Sequence, residues 1–289
     1  MLRCPSSGPD SVARVQVLIS ADMEGISAIV HPAETNPDRY DYELGRALMT
    51  ADVNAAIAGV LDAEPAAEIH VADAHGTFRN VLPEDLDDRV LLVRGKPRPW
   101  GMMHGLRPDT DAVLLVGYHG RAGSGPAVLA HTMSDAILDI RVAGQSFGEI
   151  GLNAAAAGYV GAPVVLLSGD DAACNELHDL VPKATAVPVK QAVGQSAAIA
   201  LHPGKARERL RRAAAEAIAS RREVRPFQIP APIEVEVDLY GPYSVDLVTL
   251  VPGVSRGAGA RTVTFTASDF EQAYRLIQLL VQLASIKPG

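Results

Sequence analysis

Two carboxylates stand one residue apart in the segment ADMEGIS, directly after a run of apolar residues that are typical of a strand. Asp22 and Glu24 are residues i and i+2 of an extended chain, so both side chains project to the same side and can reach one point. Their mutual repulsion is costly at a crowded strand end unless a positive charge lies nearby. A bound divalent cation would supply that charge, so the spacing indicates a metal site.

Two further predicted strands end in histidines. The segment IHVADAH ends in His75, and the segment AVLLVGYH ends in His119. The carboxyl ends of parallel strands share one edge of a sheet, which is where open α/β sheets place their sites. Two histidines and two carboxylates form a mixed nitrogen and oxygen donor set that suits zinc or another divalent first-row ion, and additional carboxylates would suit a pair of ions. Each residue alone is more often a structural group, so the prediction rests on their convergence.

Three other residues have competing interpretations. Glu149 begins an Ala-rich helical segment, where a carboxylate also stabilises the helix N-terminus by up to about 1 kcal/mol. His131 follows the Gly-rich loop HGRAGSGP, which could bring backbone close to a ligand, and is otherwise a hydrogen-bonded loop residue. Arg121 lies inside that loop and could receive a substrate carboxylate in a bidentate pair, or simply face solvent.

The elements that must position these residues follow from the apolar pattern. Short β-branched runs bounded by turn residues predict buried strands, at residues 15–20, 69–72, 90–93, 112–116 and 163–167. Amphipathic helical patterns lie between these runs. The alternation predicts an α/β fold with a mainly parallel sheet and flanking helices.

The texture of the sequence changes after about residue 182. A highly charged amphipathic helix is followed by IEVEVDLY and RTVTFTA, which alternate like half-exposed antiparallel strands, and the chain closes with an apolar helical stripe around Tyr274. We therefore predict three parts. Residues 1–14 form a flexible extension, residues 15–182 an α/β metal-binding catalytic domain, and residues 183–289 a smaller α+β portion that serves oligomerisation and substrate access.

Composition excludes several classes of function. The 289 residues are 48% hydrophobic and carry a formal net charge of −8, which argues against a partner that presents a phosphate backbone, so no nucleic acid partner is expected. No apolar stretch has the length of a signal peptide or a membrane span, which predicts a cytoplasmic protein without a membrane partner. With two cysteines, a Cys-ligated zinc site is not available, so the donors must be Asp, Glu and His.

Five motifs, taken in order and at their separations, resemble the zinc-dependent D-aminopeptidases of the dipeptide-permease operon: SADMEGIS, VADAHG, LLVGYHGRA, AHTM and GEIGLNAAAAGY. The resemblance extends from about Val15 to the last helix. It implies a di-zinc site, and the metal ligands that it implies are Asp22, Glu24, His75, His119 and Glu149. It also implies that His131 is the catalytic histidine and that the subunits form a homo-oligomer, a decameric ring built from pentamers.

The residues and the resemblance together predict a metal-dependent aminopeptidase that removes the N-terminal residue of short peptides, with D-Ala peptides as substrates. Two zinc ions per subunit would supply hydroxide and polarise the scissile carbonyl, with manganese or cobalt as alternatives. His131 would transfer a proton or stabilise the oxyanion. One alternative is a metal-dependent hydrolase of another small amide or of a phosphate ester, and the other is a non-catalytic oligomeric protein that metal ions stabilise.

Overall fold

The computed structural model describes residues 14–286, so the predicted flexible extension lies outside it except for Arg14. Residues 14–286 form twelve strands: β1 (Gln16–Ala21), β2 (Glu68–Asp73), β3 (Leu91–Val93), β4 (Ala112–Tyr118), β5 (Ile137–Val142), β6 (Gln145–Ser146), β7 (Val164–Asp170), β8 (Thr185–Gly194), β9 (Ala197–Ala200), β10 (Ile233–Leu239), β11 (Ser255–Arg256) and β12 (Thr262–Ala267). The α-helices are α1 (Pro32–Thr35), α2 (Tyr42–Ala63), α3 (Glu149–Tyr159), α4 (Asp171–Leu180), α5 (Pro203–Ala219), α6 (Pro242–Val248) and α7 (Phe270–Ala284). Short 3₁₀ turns occupy Gly101–Met103 and Arg221–Glu223.

The first sheet has seven strands in the order β3-β2-β1-β4-β7-β8-β9. Its pairs are parallel except for the β8 and β9 hairpin at one edge. Every residue of β4 and β7 is buried, as expected for strands of a parallel sheet that is covered on both faces. The mainly parallel α/β sheet predicted from the sequence is confirmed, and the five predicted strands are present within a few residues of their expected bounds.

Helix α2 is long and apolar enough to cross a membrane by length and composition alone. In the structure it packs against α5 and against β1 and β4 of the first sheet. More than half of its most apolar window is buried inside the protein. This environment is typical of a core helix in a folded domain, which passes the same test of length and composition.

The second sheet is antiparallel, with the strand order β11-β12-β10-β5-β6. Strand β10 alternates buried and less buried residues, as its sequence pattern predicts for a sheet that packs on one face. Helix α7 packs against β10 and β12 and buries the apolar stripe that includes Tyr274. The terminal helix predicted from this apolar stripe is therefore confirmed.

The division between the sheets does not follow the boundary predicted at residue 182. Strands β8 and β9 lie beyond that residue and still belong to the first sheet, because β8 pairs in parallel with β7. Helix α5 likewise packs on α2. In the other direction, β5 and β6 lie before residue 182 but belong to the second sheet. The chain thus crosses to the second sheet after β4 and returns at α3. The change in sequence pattern near residue 182 marks a change in solvent exposure and not the division between the sheets.

Candidate metal centre

The carboxyl ends of β1, β2 and β4 lie side by side. The last residue of β1, Ala21, is in register with Asp73 at the end of β2 and with Val116 near the end of β4. Asp22 directly follows β1, His75 follows β2 by two residues, and His119 directly follows β4. The convergence expected from parallel strands is therefore present at this edge.

The side chains predicted as ligands are in contact. The Nδ1 atom of His75 lies 3.0 Å from Glu24 Oε2 and 3.3 Å from Asp22 Oδ1. The Nε2 atom of His119 lies 3.4 Å from Asp22 Oδ2 and 3.6 Å from Glu149 Oε1. All of these side chains are buried except that of His75, which is partly exposed. The structure thus brings five donors from four separate segments into one cluster.

His131 joins this cluster from the loop after β4. Its Nε2 atom lies 3.7 Å from Glu149 Oε1, and its ring stacks on that of His119 with 4.3 Å between the ring centroids. Its side chain is 25% exposed, whereas that of His119 is 1% exposed. His131 is therefore the more accessible of these two imidazoles.

The donor atoms fall into two groups that could each hold an ion. One group consists of Asp22, Glu24 and His119, and the other of His119, His131 and Glu149. Within each group the donor atoms lie within 4.8 Å of one another. His119 belongs to both groups, so two ions held by them would be neighbours.

Each of the three histidines contacts a backbone carbonyl through its other ring nitrogen. The distances are 2.9 Å for His75 Nε2, 3.0 Å for His119 Nδ1 and 2.9 Å for His131 Nδ1. The carbonyls belong to Thr35, Gly120 and Leu129 respectively. A carbonyl only accepts hydrogen bonds, so that nitrogen carries the proton and the lone pair of a neutral ring faces the cluster. Metal-ligating histidines are oriented in this way.

Two buried atoms at the centre of the cluster lack a hydrogen-bond partner within residues 14–286. They are Asp22 Oδ2 and His119 Nε2. Leaving a buried polar group unsatisfied costs about 1–3 kcal/mol, so a native protein usually provides a partner for it. A divalent metal ion accepts lone pairs from both a carboxylate oxygen and an imidazole nitrogen. The donor set fits a metal of the zinc class.

The electrostatics of the cluster follow from pairing acids with imidazoles. Burial would raise the pKa of Asp22, but the adjacent rings of His119 and His75 outweigh it and hold that pKa well below its usual range. Burial would lower the pKa of His119, but the charge of Glu149 and the contact with Asp22 raise it to about 10. Protons thus take the place of cations in the metal-free cluster, and metal binding would release them.

The cluster opens into a cavity of about 980 Å³. Its lining includes the cluster itself, residues between positions 96 and 102, and residues of α7. Arg121 is not among the lining residues. Its Nη1 atom donates to the carbonyl of Ala122, and its backbone N–H donates to Glu176. The structure therefore does not bring Arg121 to the cavity, and its predicted contact with substrate stays a prediction.

Comparison with known proteins decides the family. A sequence model described as D-aminopeptidase matches residues 15–279. The chain belongs to the D-aminopeptidase family. The chain is 33% identical over 272 residues to the D-aminopeptidase of Bacillus subtilis (strain 168), with 93% of this chain and 98% of that protein covered. Its fold matches the structure described as Zn-dependent D-aminopeptidase DppA from Bacillus subtilis, a self-compartmentalizing protease, with a TM-score of 0.92 and 31% identity over 95% of this chain and 100% of that chain.

The resemblance drawn from the five motifs is thus confirmed. In this D-aminopeptidase family member, the loop that carries Asp22 and Glu24 is held by a lysine that the sequence analysis did not identify. Lys190 on β8 is buried, and its Nζ atom donates to the carbonyls of Glu24 at 2.5 Å, Ile26 at 3.0 Å and Ile29 at 2.5 Å. In the sequence, Lys190 is a charged residue within the apolar run VPVKQAV. A lysine in such a run is expected to be buried and therefore to need polar partners, and this is the signal that could have identified it.

The same loop is fixed at two other points. Both oxygens of Asp52 on α2 accept hydrogen bonds from Ser27, one from its backbone N–H at 2.9 Å and one from its hydroxyl at 3.0 Å. At Gly25 the backbone approaches β4 so closely that a Cβ atom would lie 1.8 Å from the carbonyl oxygen of Tyr118. Only glycine permits this approach, which places Glu24 over the end of β4.

Proposed function

We propose that this protein is a zinc-dependent aminopeptidase that removes the N-terminal residue of short peptides, with D-amino-acid peptides as substrates. Membership of the D-aminopeptidase family supports the reaction, and the Bacillus subtilis structure described as zinc-dependent supports the metal. The observation that carries the proposal is the pair of unsatisfied buried atoms, Asp22 Oδ2 and His119 Nε2, within a cluster that lines a cavity large enough for a short peptide.

The residues that would hold two zinc ions per subunit are Asp22, Glu24, His75, His119 and Glu149. Zinc, when bound, lowers the pKa of a bound water to roughly 7 and polarises a carbonyl oxygen, and manganese or cobalt would be alternatives. The carbonyl contacts of the histidines fix the ring orientations in advance, so little reorganisation accompanies binding.

His131 is the proposed catalytic histidine. It lines the cavity, and the carbonyl of Leu129 fixes its ring through Nδ1, which leaves Nε2 free to accept a proton or donate one to the substrate. A placed acid or base of this kind contributes about 10² to 10⁴ in rate. Near Glu149 Oε1, its imidazole lies beside the cluster where the scissile peptide would be held.

The test compares matched D-Ala and L-Ala dipeptides, with metal content measured before and after treatment with a chelator. We expect cleavage of the D-peptide that is lost with the metal and returns when zinc is restored. Cleavage of the L-peptide alone would contradict the stereochemistry and retain the mechanism. Hydrolysis of phosphate esters without cleavage of either peptide would contradict the aminopeptidase assignment.

We also propose that the subunits form a homo-oligomer, with a decameric ring as the specific prediction. The related Bacillus subtilis structure is described as a self-compartmentalizing protease, which requires several copies. Large apolar side chains on the second-sheet side are exposed, including Tyr240 at 70% and Leu250 at 77%. Light scattering of the purified protein measures the mass directly, and a monomer would contradict the proposal. The predicted cytoplasmic location stays a prediction.

A further inference from the structure

The cavity is lined by residues of the metal cluster and by three cationic residues, Lys96, Arg98 and Arg275. The carboxylates of Asp22 and Glu149 would offset the charge of the proposed zinc ions, so they leave no free negative charge for a substrate. A short peptide with free ends carries an amine at one end and a carboxylate at the other. The cationic residues outside the cluster are therefore candidates for binding that carboxylate.

Two of these three cations are already engaged. The guanidinium of Arg98 donates to three backbone carbonyls, those of Gly101, Val93 and Asp73. Arg275 forms a salt bridge with Glu271 on the same helix, with 2.5 Å between Nη2 and Oε1. Arg98 is thus satisfied without a ligand, whereas Arg275 has an exposed salt bridge within its own helix.

Lys96 is the remaining cation. No charged partner within residues 14–286 acts on its ammonium, and its Nζ atom lies 5.5 Å from the ring centroid of Phe78. Arg98 packs on the same ring, with its Cζ atom at 4.2 Å. Lys96 is exposed as a whole residue, but the partial burial of its ammonium lowers its pKa, and no neighbouring anion offsets this effect. An anion that enters the cavity would therefore find a lysine without a competing partner.

The ring of Phe78, which lies beneath Lys96, belongs to the loop that follows the proposed ligand His75. Phe78 has a φ of +59°, which is uncommon for a non-glycine residue and is retained where surrounding contacts enforce it. Its backbone N–H donates to the carbonyl of His75 at 2.7 Å, and its carbonyl accepts from the N–H of Gly95 at 2.6 Å. The ring under Lys96 is thus tied through three residues of chain to the metal cluster.

We propose that Lys96 binds the C-terminal carboxylate of a short peptide whose N-terminal residue occupies the metal centre. The inference rests on the proposed aminopeptidase function and specifies its substrate class as short peptides with a free C-terminus. An ammonium and a carboxylate form a charge-assisted hydrogen bond, which is about twice as strong as a neutral one. Peptides too long to place their carboxylate at Lys96 would lose this contact, so the preference for short chains has a physical cause.

The test uses D-Ala-D-Ala as the free acid and as its C-terminal amide, which lacks the negative charge. The zinc-loaded variants are Lys96→Met, Lys96→Arg and Lys183→Met, the last removing an exposed lysine in the loop before β8, away from the cavity. We expect Lys96→Met to lower kcat/KM for the acid about tenfold or more, mainly through KM, and to leave that for the amide unchanged. Lys96→Arg should retain most of the preference, and Lys183→Met all of it.

Equal losses for the acid and the amide, or no loss in Lys96→Met, would overturn the proposal. An acid-specific loss in Arg121→Met instead would transfer the role to Arg121. If the wild-type protein cleaves neither peptide, the aminopeptidase proposal fails, and calorimetric binding of the same two peptides decides the subsite separately. Tighter binding of the acid that Lys96→Met abolishes would support it, and equal binding of acid and amide would refute it.

Discussion

Replacing Lys190 with methionine removes a buried charge and keeps a side chain of similar length. In the native protein the ammonium donates to the carbonyls of Glu24, Ile26 and Ile29. Hydrogen bonds that involve a charged group contribute about 1.5–3 kcal/mol each, or about 5–9 kcal/mol for three. Burial lowers the pKa of Lys190 to about 8, so the cost of holding the charge offsets about 3 kcal/mol of this. We expect Lys190→Met to lose about 2–6 kcal/mol in the free energy of unfolding.

The assay is urea unfolding of the chelated proteins, so that lost metal does not contribute to the difference in the free energy of unfolding. Zinc affinity is measured separately by competition with a chelator. Because the loop that carries Asp22 and Glu24 loses its support, we expect zinc binding to weaken about 10- to 100-fold. Lys183→Met, at an exposed position, should change the free energy of unfolding by less than about 0.5 kcal/mol. A loss below about 1 kcal/mol together with unchanged zinc affinity would show that Lys190 does not hold this loop.

Three further predictions follow from named contacts. His131→Ala should lower the rate of peptide cleavage at least about 100-fold with zinc content unchanged, and loss of zinc would instead place His131 among the ligands. Gly25→Ala should cost about 4 kcal/mol or more in urea unfolding, since its Cβ would meet the carbonyl of Tyr118; a change within 1 kcal/mol would contradict the close approach. Burial raises the pKa of Cys174 to about 12, so its thiolate fraction at pH 8 is about 10³-fold below that of a free thiol and should rise with pH. In a Cys4→Ser background, iodoacetamide should therefore label the folded protein far more slowly than the unfolded chain.

Much of the site could be predicted because its geometry is local to strand ends. Asp22, His75 and His119 follow three strands, and parallel strands bring their carboxyl ends together whatever the lengths of the connecting segments. The spacing of Asp22 and Glu24 also needs only the geometry of extended chain. These inferences require no knowledge of which helix packs where.

The remaining features depend on pairings between distant residues, which local patterns do not encode. Lys190 contacts Glu24 across 166 positions of sequence, so its partners appear only once β8 is placed in the first sheet. The same applies to the domain boundary, because β5 pairs with β10 rather than with its neighbours in sequence before it. Arg121 is a suitable residue type in a suitable loop, but it is not among the residues that line the cavity, so its contact with substrate stays a prediction.

Between β4 and α3 the chain passes from the first sheet to the second and back, and this excursion has a consequence for biosynthesis. His131 precedes this excursion and Glu149 follows it, and β5 within it pairs with β10, about 95 residues later. A nascent chain that ends before Ile233 therefore lacks the strand that anchors the segment between them. Translation would have to pass this point before the proposed catalytic histidine and its neighbouring carboxylate were fixed. We therefore expect the proposed active site to form only after β10 has been synthesised.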